Sequence, residues 1–203
     1  MTKKPKTSIE KLYQTAAGQA GCFTTAQAIK AGFDDNTHPY HVKAGNWIRE
    51  WRGIYRLSRY PVADTGHYVL WSLWSRNRAN EPQGIYSHET ALSLYDLSDA
   101  MPGRIHMTVP STFRRHSKIP GVLRLHFGLI QPDEIEEREG YRVTKPMRTI
   151  VDLTLDKSVS LDILRQALSE GKKRGLISRK VVDSYREKPH AYDTIEPVLR
   201  GVF

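Results

Sequence analysis

Thr37-His38-Pro39-Tyr40-His41-Val42-Lys43-Ala44-Gly45, followed by Trp47-Ile48-Arg49-Glu50-Trp51-Arg52-Gly53-Ile54-Tyr55-Arg56-Leu57, is the stretch whose reading decides the fold. Asp34-Asp35-Asn36-Thr37 offers several helix N-caps in a row, and Pro39 fits a first turn, where its missing N–H costs little. A short helix over residues 38–44 would then end at Gly45. Trp47, Ile48 and Trp51 lead to Arg52-Gly53, a tight turn, and residues 54–57 read as the returning strand. A short helix followed by a basic hairpin is the second half of a winged helix-turn-helix.

The first half lies just upstream. Ile9, Leu12, Tyr13, Ala16 and Ala20 follow helical spacing, with Ser8 as the expected N-cap, and Gly18 and Gly21 blunt the end. Thr24 with Gln27 three residues on is a capping box, and Phe23 stands where a hydrophobic staple would meet Ala28. That second helix stops at Gly32, an expected C-terminal glycine.

Charge supports a polyanion as partner. The chain of 203 residues has a net charge of +9, and residues 1–60 hold ten basic and four acidic side chains, a net of +6. Most of the excess thus sits in the winged-helix segment, where neutralised phosphates would release counterions. Thr37, His38, Tyr40, His41 and Lys43 occupy the start and outer face of the third helix and are the expected base readers. Arg49, Arg52, Arg56 and Arg59, on or beside the wing, are the expected contacts to phosphates or a minor groove.

Residues 58–64 lack periodicity and contain Pro61, which predicts a domain boundary near residue 60. Beyond it, helices are expected over 68–76, 87–97, 146–155, 160–174 and 178–186. Ile105, Met107 and Val109 share one face of a strand, as do Leu123, Leu125 and Phe127, and residues 141–144 read as a further strand. The fold class is α+β. A DNA-binding domain over 1–60 precedes a larger mixed domain over 61–203, with an α+β core at about 66–157 and a helical tail at 158–203.

The composition limits the chemistry. Cys22 is the only cysteine, which excludes an intrachain disulfide and a cysteine-based metal site and fits a reducing compartment. Residues 1–6 are charged with no apolar run behind them, unlike a signal peptide, and no stretch approaches a membrane span. The eight histidines are scattered, only His38 and His41 having close helical spacing, and no carboxylate completes a zinc-protease motif there. There is no phosphate-binding glycine loop. Ser87-His88-Glu89 diverge on a helix, so capping by Ser87 is the better account than a catalytic triad. Asp133-Glu134-Ile135-Glu136-Glu137 lacks the acid-x-lysine partner of a metal-dependent nuclease, and Lys145 is not in that spacing. No cofactor, metal or enzymatic activity is expected.

Several short blocks then stand in a fixed order: Gly21-Cys22-Phe23-Thr24, Gly45-Asn46-Trp47-Ile48, Arg52-Gly53-Ile54-Tyr55-Arg56-Leu57, Ser87-His88-Glu89-Thr90-Ala91-Leu92, Ile105-His106-Met107-Thr108-Val109-Pro110 and Val143-Thr144-Lys145-Pro146-Met147-Arg148-Thr149-Ile150-Val151-Asp152-Leu153. Over residues 8–176 the chain resembles the abortive-infection antitoxins of the AbiEi type, from type IV toxin–antitoxin systems of phage defence. It departs from the commoner pattern in the third helix, where His38-Pro39-Tyr40-His41 replaces a run of Arg and Leu. The resemblance implies a winged-helix repressor of its own operon, binding double-stranded operator DNA with inverted repeats. It implies a second domain that counteracts a nucleotidyltransferase-like toxin encoded alongside. Arg114, Arg115, His116 and Lys118 in one loop, Arg148 on a helix, and Lys172, Lys173 and Arg174 at a helix end are the expected contacts to the toxin or its RNA substrate; the other reading of Arg148 is a local structural pair with Asp152, four residues on. A cytoplasmic location without membrane contact is expected. The other readings of these residues are a winged-helix regulator without a toxin and a DNA-processing nuclease.

Overall fold

The computed structural model describes residues 7–98, 102–115, 117–187 and 189–203. Lys3, Lys4 and Lys6, counted above in the charge of residues 1–60, and His116 lie outside the described residues. The fold is α+β, and the chain divides into two compact units. The first comprises the chain up to Gly84 together with the turn 137–141, and the second comprises 85–136 and 142–203.

The first unit opens with α1 (Ser8–Ala17), β1 (Cys22–Thr24), α2 (Thr25–Ala31), a short 3-10 turn (Asp35–Thr37), α3 (His38–Lys43), β2 (Trp47–Trp51) and β3 (Ile54–Leu57). The three strands form a sheet in the order β1-β3-β2, the connectivity of a winged helix. Local chemistry starts the helices. Thr7, one residue before the expected Ser8, caps α1 in a reciprocal box with Glu10. Thr24 Oγ1 accepts from the Gln27 amide at 3.2 Å, while Gln27 Oε1 accepts from the Thr24 amide at 2.8 Å. Gly32 ends α2 at φ 103°, a conformation that side chains disfavour. Leu12, Ala16, Phe23, Ala28, Ala31 and Trp47 form the core, with Phe33, Val42, Tyr55 and Leu57 packed around it. Trp47 stands at its centre, edge-on to Phe23 and Phe33 at 4.9 and 5.1 Å and tilted against Tyr55 at 5.7 Å.

The expected boundary at residue 60 is not where the unit ends. Tyr60 donates its hydroxyl to the Ala17 carbonyl at 3.0 Å, and its ring covers Gly21 so closely that an added Cβ would lie 2.6 Å from it. Helix α4 (Gly66–Trp74) follows, and its Trp71 meets Trp51 edge-on at 5.1 Å. Within segment 58–64, Ser58 and Tyr60 are held by tertiary contacts while residues 61–64 are exposed, and the unit continues to Gly84, whose amide donates to Ser75 Oγ at 2.8 Å.

The remaining elements are β4 (Ile85–Tyr86), α5 (His88–Leu94), β5 (Ile105–Val109), β6 (Leu123–Phe127), a 3-10 turn (Pro132–Glu134), β7 (Ile135–Arg138), β8 (Tyr141–Thr144), α6 (Pro146–Asp156), α7 (Leu161–Lys173), α8 (Arg179–Arg186) and α9 (Pro189–Leu199). The strand order is β6-β5-β4-β8-β7. Strand β5 runs parallel to β6 and antiparallel to β4. Met107 and Val109 are buried on one face of β5, as their alternation predicts, and Leu123 is buried beside them on β6. The apolar sides of α6, α7 and α9 close the core through Ile150, Leu153, Leu164, Leu168, Ile195 and Val198. Helix α9 contains Pro197, which disfavours a helix in the sequence, and the sequence reading stops at residue 186. Ser87 does not cap α5. Its hydroxyl instead lies 2.7 Å from Thr108 Oγ1.

Candidate nucleic-acid interface

The site begins with α3, a helix of six residues. One side is committed to the core. His38 is 2% exposed, 5.2 Å from Trp47 and 5.8 Å from Tyr55, and burial lowers its pKa so that it stays neutral. The Asp35 carboxylate approaches His38 Nδ1 at 3.4 Å without an aligned hydrogen bond. This corrects the expectation that His38 reads bases: a helix of under two turns needs an inward anchor, and His38 supplies it. His41 is half-buried and stacks on Trp47 at 4.5 Å, so it too serves chiefly as packing. Thr37 is half-buried, and its hydroxyl donates to the Asp34 carbonyl at 2.7 Å, holding the turn before α3.

The outer side is open. Tyr40 is 67% exposed, and Lys43, one turn on, is exposed beside it. Asn36 is exposed at the entry to α3. The sequence reading treats it only as a cap, yet its amide is the group that pairs with an adenine edge in a major groove. Its signal was its place, three residues before Pro39 in a turn that must project.

The hairpin separates the arginines by parity. Trp47 pairs with Leu57, Ile48 with Arg56 and Arg49 with Tyr55. Successive strand residues face opposite ways, so Arg49 shares the face of Trp47 and Tyr55, against which α3 packs. Its side chain is exposed. Arg56 is on the other face, where its Nε donates to Glu50 Oε1 at 2.7 Å and its side chain is 16% exposed. That placement removes Arg56 from the expected phosphate contacts, because its head group is held by a carboxylate on the far side of the sheet. Arg52 is exposed at the Arg52-Gly53 turn, where Gly53 takes φ 70°, and Arg59 is exposed just after β3. Cys22 is buried, and burial pushes its thiol up to about 11.

In the second unit most of the expected partner contacts are engaged within the chain. Arg148 binds both Glu134 and Asp152, which are themselves buried, and Tyr185 donates to Glu134 at 3.1 Å. Burial pushes the Asp152 carboxyl up to about 6, against the pull of Arg148. Arg148 is therefore a strut from α6 to the turn before β7, and Glu134 from the acidic run is its anchor. Glu136 of the same run accepts from the Tyr95 hydroxyl at 2.9 Å. Arg174 donates to the carbonyls of Tyr95 and Asp96, and Lys172 to that of Val202. Arg114 folds back onto the carbonyls of Ser111 and Phe113, and Arg115 is half-buried. The pairing with two buried carboxylates corrects the expectation that Arg148 faces a partner, whereas Arg114, Lys172 and Arg174 keep exposed side chains. Lys118 is exposed, and Lys173, 80% exposed, lies 3.7 Å from the Glu170 carboxylate.

The histidines are not all scattered. His88, at the start of α5, His106 on β5 and His126 on β6 converge. The rings of His88 and His126 stack 3.5 Å apart at 12°, and His126 Nε2 lies 3.4 Å from His106 Nδ1. Register explains the meeting: His106 pairs with Arg124 and Thr108 with His126, so alternate residues of the parallel ladder share one face. Asp156, at the end of α6, closes the group, with Arg124 Nη2 at 3.3 Å.

Comparison with known proteins supports the fold alone. No family model matches the chain, and no curated protein is matched. Among solved structures, the crystal structure of the Rv2827c protein from Mycobacterium tuberculosis is similar, with a TM-score of 0.55 and 13% identity over 95% of this chain and 78% of that one. Among the described residues no helix is long and apolar enough to cross a membrane.

Proposed function

We propose that this chain is a cytoplasmic, DNA-binding autorepressor and the antitoxin of a type IV pair, without an enzymatic activity of its own in that role. One observation carries the DNA half. On the α3 side of the winged helix, Asn36, Tyr40, Lys43, Arg49 and Arg52 are exposed, and the carboxylate of Glu50 is turned to the opposite face with Arg56. A helix of this size fits a major groove, and a basic wing flanks the backbone. The antitoxin half rests on the ordered sequence blocks that resemble AbiEi-type antitoxins, with a nucleotidyltransferase-like toxin or its RNA as the second partner. Arg114, Lys118, Lys172, Lys173 and Arg174 are the exposed cations for that contact.

The two halves separate in one experiment on the full chain. Lys43→Ala with Arg52→Ala should abolish repression of a reporter driven by the chain's own promoter and leave growth rescue from the toxin intact. Lys118→Glu with Lys173→Glu should do the reverse. In gel shifts, Lys43→Ala should relax sequence choice and cost about 1–3 kcal/mol, whereas Arg52→Ala should weaken all sequences alike. Repression without any rescue would leave a winged-helix regulator that has no toxin. Absence of promoter binding would remove the DNA half.

A further inference from the structure

The three converging histidines of the second unit have no part in the DNA-binding or antitoxin reading, and their arrangement calls for its own account. His88 is 6% exposed and His106 3% exposed. Buried polar rings ordinarily occur singly, each satisfied by backbone or water. Here two are stacked face to face and a third touches one of them, with a carboxylate at the rim.

Each of the two stacked rings has one nitrogen engaged. His88 Nδ1 lies 2.9 Å from Ser87 Oγ, which is itself tied to Thr108 Oγ1. His126 Nε2 lies near His106 Nδ1. The opposite nitrogens, Nε2 of His88 and Nδ1 of His126, are left to bind a ligand. One ligating atom from each of His88, His126 and Asp156 can be chosen so that all three lie within 4.8 Å of one another. Around a tetrahedral zinc, with bonds of about 2.0–2.1 Å, such atoms stand roughly 3.4 Å apart, so the site closes when side-chain rotation tilts the two stacked rings toward a common point. The same arrangement, with one nitrogen on the metal and the other held by a second group, is how metal-bound histidines are generally oriented.

We propose that the second unit binds one divalent metal ion of the zinc class between His88, His126 and Asp156, with Ser87 and His106 as positioning residues. Two nitrogens and one carboxylate suit zinc and leave a fourth position for water. The backbone is shaped for this. His88 takes φ 53°, in the left-handed region that non-glycine residues seldom adopt and that collects at functional positions. Entry lies past His126, Arg124 and Asp156, whose side chains retain exposure; Arg124 is 46% exposed. In the metal-free protein the Arg124 guanidinium neutralises Asp156, and metal displaces it to solvent. Binding also turns the two imidazoles out of their parallel stack.

This inference is independent of the DNA and antitoxin readings. The test is calorimetric titration of zinc chloride into the full-length protein after chelation and dialysis. One zinc per chain is expected, with a rise in melting temperature on loading and visible d–d bands of tetrahedral intensity when cobalt replaces zinc. Asp156→Asn and His126→Ala should weaken binding at least tenfold, and Ser87→Ala about tenfold. Arg124→Gln should tighten it several-fold, an effect that loss of folding cannot imitate. Asp156→Asn and Arg124→Gln alter rim side chains, so they keep the test decisive if a histidine variant fails to fold. Absence of stoichiometric zinc, or affinity equal in wild type, Asp156→Asn and Arg124→Gln, overturns the proposal.

Discussion

The parity of the wing hairpin makes a prediction that sets two arginines seven residues apart against each other. Arg49 is exposed on the α3 side, while Arg56 is held by Glu50 on the opposite face. Each phosphate contact contributes about 0.9 to the slope of log affinity against log salt, so a fourfold rise in salt costs about 3.5-fold per contact. Arg49→Ala should therefore lower the slope by about one unit and bind promoter DNA more weakly at low salt. Arg56→Ala should leave the slope unchanged. Its cost falls on folding, because Glu50, 28% exposed, loses a charged hydrogen bond. A partly buried pair of this kind is worth roughly 1–2 kcal/mol. The assay is fluorescence anisotropy with a labelled promoter duplex at four salt concentrations, with thermal melts of the same samples. A reduced slope in Arg56→Ala together with a wild-type slope in Arg49→Ala would refute the assignment of faces.

Other consequences concern the winged-helix core and its thiol. Trp47→Ala should cost about 3–5 kcal/mol in urea unfolding, since it removes the ring on which Phe23, Phe33, His41 and Tyr55 pack; a loss below 1 kcal/mol would show that the core closes without it. His38 has a folded pKa below its ordinary 6.5, so the unfolded chain takes up a proton that the folded chain refuses. Its contribution is full above that value and declines as pH falls below it, and His38→Leu should flatten the fall in melting temperature between pH 7 and pH 5. An equally steep fall in the variant would place the titration elsewhere. Cys22, 1% exposed and with its thiol raised to about 11, should resist Ellman's reagent at pH 8 in the native protein and react at once in denaturant. Rapid native reaction would show that the region around β1 opens readily.

The sequence by itself determined the elements whose causes are local. The Thr24–Gln27 box, Pro39 at the start of α3, the Arg52-Gly53 turn and the alternation of β5 act over two to four residues, a range in which side chain and backbone meet whatever the rest of the chain does. Hence the helices and hairpin of the winged helix, the α+β class and most helices of the second unit were legible. Strand β1 was not, because Cys22–Thr24 becomes a strand only by pairing with residues 54–56. Nor was the end of the first unit, which depends on Trp71 meeting Trp51. The sites were divided in the same way. Exposure of Tyr40 and Lys43 follows from helical spacing, but the burial of His38 depends on Trp47 and Tyr55 arriving from the hairpin. The Arg148–Asp152 pair follows from helical spacing, but Glu134, fourteen residues before Arg148, is brought to it only by the β7–β8 return. His88, His106 and His126 are separated by eighteen and twenty residues, and no local rule joins them. Only the register of a parallel ladder and the docking of α5 beside it placed their rings together, since strand pairing fixes which side chains share a face without regard to distance along the chain.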